Sequence, residues 1–350
     1  MRLFSCPSCG LTVFFENRDC VRCGARLGYA VHANELLALE PEGGIWRPVG
    51  GGSTYRFCEN AELDACNWLI PAESGERFCV ACRHNRTVPN LGDAANLARW
   101  RKLEEAKHRL FYTLLRLNLP LASRWERPDG LTFDFLADTD AGPRVMTGHD
   151  NGLITIALRE ADDVERERMR VEMGEYYRTV LGHFRHEVGH YFWNVLVRDG
   201  GHLAQCRDVF GDDRADYGEA LDRYYREGAP PRWQDNYVSA YATMHPWEDF
   251  AETWAHYLHM VATLETGASY GLSTAPHVVE KASLTTVLDF NPYTAQEFDL
   301  LSRAWLPLTS LVNSINRSMG VRDAYPFVLT DVVLRKMAFI HDLVHRRLPV

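Results

Sequence analysis

The run His186-Glu187-Val188-Gly189-His190 constrains this chain more than any other feature. H-E-x-x-H sets two imidazoles four residues apart on one face of a helix, with a carboxylate beside the first. Two neutral imidazoles at that spacing can hold one Zn²⁺, and the carboxylate can take a proton from water that the metal activates. The flanks supply the helix. Between Asp163 and Val197 there is no proline, and Val180, Leu181, Phe184, Val188, Tyr191, Phe192, Val195 and Leu196 recur at three- and four-residue intervals. Asp162, Asp163, Glu165 and Glu167 make an acidic first turn, and Asp199-Gly200-Gly201 stops the run. The spacing thus predicts one helix over about 163–197. Gly182 and Gly189 each cost about 1 kcal/mol against Ala inside it. At 189 the missing side chain would let another backbone come close. A buried amphipathic helix that merely carries histidines is the competing account, and a third ligand decides against it.

A zinc that acts on a substrate needs that third protein ligand and an open fourth position. His245-Pro246-Trp247-Glu248-Asp249-Phe250-Ala251-Glu252 is the candidate segment. Pro246 is placed to start a helix, and acids in its first turn favour the positive helix end. Glu248 and Glu252 are four apart and share a face, so one can bind metal while the other accepts the N–H of a ligating histidine. Asp249 lies about 100° round from Glu248 and reads as a capping or structural carboxylate. His256 and His259, further along, read as packed or surface histidines. His183 lies three residues before His186, so a ligand set containing it is geometrically open, at the cost of Glu187's place beside a ligand. Asp212 and Asp213 read as braces for a helix beginning near Ala215.

H-E-V-G-H followed 58 residues later by the glutamate of W-E-D-F-A-E-T-W-A resembles the gluzincin metallopeptidases of the lethal-factor and MtfA type. The resemblance implies Glu248 as third zinc ligand, Glu252 behind it, and Tyr241, seven residues before Glu248, as a tyrosine that assists catalysis; Tyr237 is the fallback. With its N-terminal cysteines, nearly the whole chain is similar to the bacterial putative zinc-binding metallopeptidases that carry a zinc ribbon. That similarity implies an α+β, predominantly helical protein: a zincin-like metallopeptidase domain behind N-terminal zinc-ribbon modules. It implies hydrolysis of a peptide or isopeptide bond in a peptide or protein substrate, with Glu187 as base. In such folds a strand edges the cleft and pairs with extended substrate. Leu153–Leu158 is the candidate by chain order; His149 and Asp150 ahead of it could face the cleft, but a polar-tipped turn is the expected role.

Eight of the nine cysteines form two sets of four. Cys6, Cys9, Cys20 and Cys23 are two C-x-x-C knuckles, each followed by glycine, around a short strand at 11–15, which is a zinc-ribbon signature. Cys58, Cys66, Cys79 and Cys82 are spaced less regularly. Two closed structural zinc sites are expected besides the catalytic one, with ligand exchange between the sets as the rival pairing. Disulfides are disfavoured because Met1-Arg2-Leu3-Phe4-Ser5 has no apolar signal-peptide core, which also points to a cytoplasmic protein. Loss of one cysteine ligand is expected to unfold its own module and leave the peptidase domain standing. Cys206 is left over as a buried thiol.

At 46% apolar and 24% charged, the 350 residues suit a globular protein with a small module and a full domain. No apolar stretch reaches the ~18 residues of a membrane span. The net charge of −9 argues against nucleic-acid binding, and Arg83, His84 and Arg86 read as a solvated loop. The expected organisation is a zinc-binding region over 1–90 (ribbon 1–30, second module 57–90) and a peptidase domain over 91–350. Between the modules, 41–54, with Pro41, Pro48 and five glycines, reads as a flexible connection. A helical pattern at 91–119 stops before Pro120, a strand follows at 131–136, and the last hundred residues read as helices closing one side of a cleft. The alternatives to an enzyme are a catalytically silent zinc scaffold whose ribbons recruit a protein partner, and a regulator whose ribbons bind nucleic acid and whose zincin domain is a sensor, which the acidic balance disfavours.

Overall fold

Short strands come first, because the knuckles leave little room for anything longer. The computed structural model describes every residue except 140–141, 173–178, 279–281 and 350. In it β1 (Phe4–Ser5) and β2 (Thr12–Val13) pair antiparallel around the first cysteines. An antiparallel meander follows: β3 (Arg26–Ala30), β4 (Glu35–Glu42), β5 (Ile45–Pro48), β6 (Tyr55–Phe57) and β7 (Leu69–Pro71), in that spatial order. This corrects the flexible connection expected over 41–54. Gly43 and Gly44, both at positive φ, turn a hairpin between β4 and β5. The strands form because Leu36, Ala38 and Leu39 have a core to enter and Trp46 packs edge-on to Phe57.

A second sheet, in the order β10-β11-β9-β8, positions the functional site. Its strands are β8 (Asn85–Thr87), then, beyond helix α1 (Ala94–Arg116), β9 (Thr132–Leu136), β10 (Gly148–Asp150) and β11 (Leu153–Ala157). Contrary to expectation, β11 is not the edge: it runs parallel to β9 and is covered on its other side by antiparallel β10. The link between β10 and β11 is Asn151-Gly152, both at positive φ, the residue pair a tight primed hairpin turn requires. His149 therefore lies within a strand and not at a turn tip.

The remaining chain is mostly helical, apart from a short antiparallel pair, β12 (Ser273–Thr274) and β13 (Thr286–Val287), and helix accounts for 45% of the described residues. The helices are α2 (Asp163–Glu172), α3 (Val180–Phe192), α4 (Leu203–Phe210), α5 (Tyr217–Glu227), α6 (Pro246–Ser269), α7 (Phe298–Ser318) and α8 (Asp331–Val344). The single helix expected over 163–197 is divided. Thr179 caps α3, its hydroxyl accepting the Gly182 N–H at 2.9 Å, and one π-helical turn, Trp193–Arg198, extends the far end. Residues 173–178, Gly174 among them, fall outside the described part. α6 is buried round most of its circumference and packs against α3, α7 and α8. Gly189 explains how closely α3 and α6 approach: a Cβ there would lie 3.0 Å from Ala251 Cα and 3.2 Å from Trp254 Cδ1.

The N-terminal region and the helical region share one apolar core. Phe15 sits 4.8 Å from Tyr29 and 5.2 Å from Tyr112 of α1, ring centre to ring centre. No helix among the described residues is long and apolar enough to cross a membrane.

Candidate metal centres

α3 and α6 bring His186, His190 and Glu248 together, with one ligand atom from each within 4.8 Å of the others. The caps of α6 set this up. His245 is its N-cap, the ring accepting the Trp247 N–H at 3.1 Å, and Pro246 opens the first turn, from which Glu248 projects. His186 Nε2 is 3.0 Å from Glu248 Oε2, and His190 Nε2 is 3.4 Å from Glu248 Oε1. One turn further along α6, Glu252 Oε1 lies 2.7 Å from His186 Nδ1.

That last contact settles what the first one means. Glu252, a carboxylate, can only accept, so Nδ1 carries the proton and Nε2 presents a lone pair toward Glu248. Glu248 Oε2 is buried and has no hydrogen-bond partner among the described residues. Two electron-rich atoms facing each other at 3.0 Å need a cation between them. Without a metal a proton fills that role. Burial alone would oppose charge on His186, yet Glu248 and Glu252 on its two nitrogens hold its pKa well above the usual value. Burial would likewise raise Glu248, but His190 and His186 outweigh it and hold the carboxyl well below its range. Glu252, against the pull of burial, is brought down to about 2, chiefly by His186. Two imidazoles and a carboxylate are a donor set that suits Zn²⁺.

Glu187 is buried next to His186 in the chain; burial first, then the Glu248 charge and last that of Glu187, push the Tyr217 hydroxyl pKa up. The Tyr241 ring centre is 6.0 Å from that of His186; burial first, and then the Glu248 charge, push its hydroxyl pKa up. Two residues at this site, Tyr217 and Trp247, escaped the sequence reading, and a third, His149, was expected in a turn. Tyr217 Oη donates to Glu248 Oε1 at 2.8 Å, Trp247 lies over His190 with ring centres 3.9 Å apart, and His149 stacks on His190 at 5.9 Å. Trp247 could have been suspected from its place beside Glu248; nothing local marks Tyr217.

The other candidates lie elsewhere. His183 meets Glu160 at 3.3 Å, His256 meets Tyr325 at 2.7 Å and His259 meets Arg185 at 2.5 Å. Asp212 and Asp213 pair with Arg214 and Arg207, while Asp216 supplies the cap of α5. Asp249 is buried against Lys336 at 2.6 Å, and Tyr237 lies over the same ammonium. Burial pushes the Cys206 thiol up to about 12.

The eight remaining cysteines gather as Cys6/Cys9/Cys20/Cys23 and Cys58/Cys66/Cys79/Cys82, all as free thiols and with no exchange between the sets. The second set is fully buried and takes backbone N–H donors: Trp68 to Cys66 at 3.3 Å, Cys79 to Cys58 at 3.4 Å and Cys82 to Cys79 at 3.4 Å. Four converging sulfurs with amide donors suit a thiolate-bound Zn²⁺. This set also leans on α1. His108 Nε2 lies 3.3 Å from Cys66 Sγ and 3.5 Å from Cys82 Sγ, and Nδ1 lies 2.6 Å from the Glu104 carbonyl. The loop expected to be solvated is tied down as well: His84 is fully buried between the Val80 and Leu121 carbonyls, and Arg86 pairs with Asp134.

Comparison with known proteins points to a zinc-binding family. Residues 96–343 match the family described as "Putative zinc-binding metallo-peptidase", and residues 3–93 match a zinc-ribbon domain. Uncharacterized proteins of Mycobacterium bovis and of two strains of Mycobacterium tuberculosis are each 43% identical over 351 residues, covering 100% of this chain and 97% of the relative. No solved structure matches. The chain belongs to this zinc-binding metallopeptidase family and carries its zinc-ribbon domain at the N-terminus.

Proposed function

We propose that the protein is a zinc-dependent peptidase of gluzincin type, with His186, His190 and Glu248 as ligands of one catalytic zinc and each cysteine set holding a structural zinc. The observation that carries this is the buried, unpartnered Glu248 Oε2 facing the Nε2 lone pair of a histidine whose other nitrogen is already engaged. A bound zinc would lower the pKa of water toward ~7 and polarise a carbonyl. Glu187, adjacent to a ligand and buried beside the site, takes the proton from the attacking water and returns it to the leaving amine. Tyr241 donates a hydrogen bond to the charge developing on the carbonyl oxygen. Glu252 keeps His186 in the tautomer that leaves Nε2 free to bind. An extended peptide or protein substrate would pair with β10, the open edge beside His149 and His190.

The test is metal analysis of the intact protein coupled to peptide-library cleavage. Products from wild type and none from a zinc-loaded Glu187→Gln variant are expected, since base assistance typically contributes about 10²–10⁴-fold. Equal rates from the two would refute the catalytic reading of this motif, and no cleavage by zinc-loaded wild type would favour the scaffold.

A further inference from the structure

Tyr217 is the residue at this site that no motif announces and that the mechanism above leaves without a task. We infer that Tyr217 is a positioning residue for the third ligand: its phenol orients Glu248 by donating to Oε1. The inference rests on the zinc reading of the His186–His190–Glu248 site.

The hydrogen bond has a direction. Tyr217 Oη is 2.8 Å from Glu248 Oε1, and the carboxylate can only accept. A phenol has a single proton, and here it is given to Glu248. By satisfying Oε1, Tyr217 leaves Oε2 as the oxygen turned, unpartnered, toward His186 Nε2. Tyr217 does for the carboxylate ligand what Glu252 does for the imidazole ligand.

Its placement is built into the fold. His245 Nδ1 accepts the Trp247 N–H at 3.1 Å, so Nε2 carries the proton and donates to the Ala215 carbonyl at 3.0 Å. One imidazole thus fixes the start of the ligand's helix and the strip of chain two residues before Tyr217. Asp216 then caps α5 by accepting the Glu219 N–H at 2.8 Å, which sets Tyr217 as the first helical residue. The ring packs edge-on to Trp247 at 5.9 Å, and Trp247 lies on His190 at 3.9 Å. Tyr217 therefore steadies one ligand directly and a second through an intervening indole. Residues that orient metal ligands in this way are typically worth about 10–100-fold in metal affinity.

The experiment measures zinc affinity in the full chain, by chelator competition with bound zinc counted per chain, for wild type, Tyr217→Phe and Tyr225→Phe. The phenylalanine keeps the ring on Trp247, so the fold is preserved, and thermal melting checks this. Tyr225 is an exposed tyrosine on the same helix and serves as the matched control. The expected result is one zinc held about 10–100-fold more weakly in Tyr217→Phe and unchanged in Tyr225→Phe. Wild-type affinity in Tyr217→Phe would overturn the inference. So would unchanged affinity with slower turnover, which would put Tyr217 on the substrate. Failure of the zinc reading itself looks different: wild type would then bind no more zinc than a His186→Ala/His190→Ala double variant.

Discussion

Gly189→Ala probes the contact on which the metal centre depends. In a helix interior alanine gains about 1 kcal/mol over glycine, so by propensity alone the variant should be more stable. The packing says otherwise. The added Cβ would meet Ala251 Cα at 3.0 Å, Trp254 Cδ1 at 3.2 Å and the Ala251 carbonyl oxygen at 3.3 Å, and two of these three atoms are backbone that cannot swing aside. Restoring a contact of 3.4 Å parts α3 from α6 by about 0.4 Å. Zinc sites keep their distances to about 0.2 Å, and the contact lies beside His190 on one helix and one turn from Glu248 on the other. Overpacking of this size costs about 1–3 kcal/mol. If zinc draws the helices back to its own distances, that strain appears in its affinity, a loss of about 5- to 140-fold at 1.4 kcal/mol per factor of ten. If the helices stay apart, the ligand set is spoiled instead. Chelator competition and thermal melting of the zinc-free and zinc-loaded forms measure both. A variant that gains the full ~1 kcal/mol of helix propensity and binds zinc like wild type would refute the close-approach argument.

Glu248→Ala should strip the zinc proposed between α3 and α6, while Glu252→Ala should retain it about 10–100-fold more weakly, as zinc counts per chain will show; the reverse order would exchange their roles. Cys66→Ser should lower the melting of the whole molecule in one transition, because zinc in such a site contributes about 10–16 kcal/mol and the set is wedged on His108 of α1. A calorimetric trace in which the helical part melts at the wild-type temperature would restore the independent module expected from sequence. Burial first, with His345 and Arg347 adding to it, holds His341 down to about 4, against about 6.5 in an unfolded chain. Its folded pKa is depressed, so the unfolded chain binds the extra proton. Stability should be full above pH ~6.5 and fall as pH drops toward ~4, and His341→Phe should flatten that slope in urea titrations.

Local pattern made the H-E-x-x-H helix, the capped start of α6 and the paired cysteines legible, because each is a short-range device. Pro246 at a helix start, acids in its first turn and the four-residue spacing of His186 and His190 act within a turn or two of chain. The Asn151-Gly152 turn was equally local, and attending to it would have placed β10 and removed β11 from the edge. The glycines at 43–44 and 50–52 illustrate an ambiguity that composition cannot resolve. The same residues suit a slack linker or a hairpin, and only the burial of Leu36, Ala38 and Leu39 chooses.

What sequence determined by itself was the chemistry on offer: two imidazoles, a neighbouring carboxylate, a downstream acidic helix and two sets of thiols. Tertiary structure decided which groups face one another. It put Glu248 toward the imidazoles with Glu252 behind His186, brought Tyr217 from another helix onto Glu248, and set His108 against the second cysteine set. Those partners lie 31 to 66 residues apart in the chain. Over such distances neither helical period nor turn chemistry fixes direction; for His186, Glu248 and Glu252 the packing of α3 on α6 at Gly189 does.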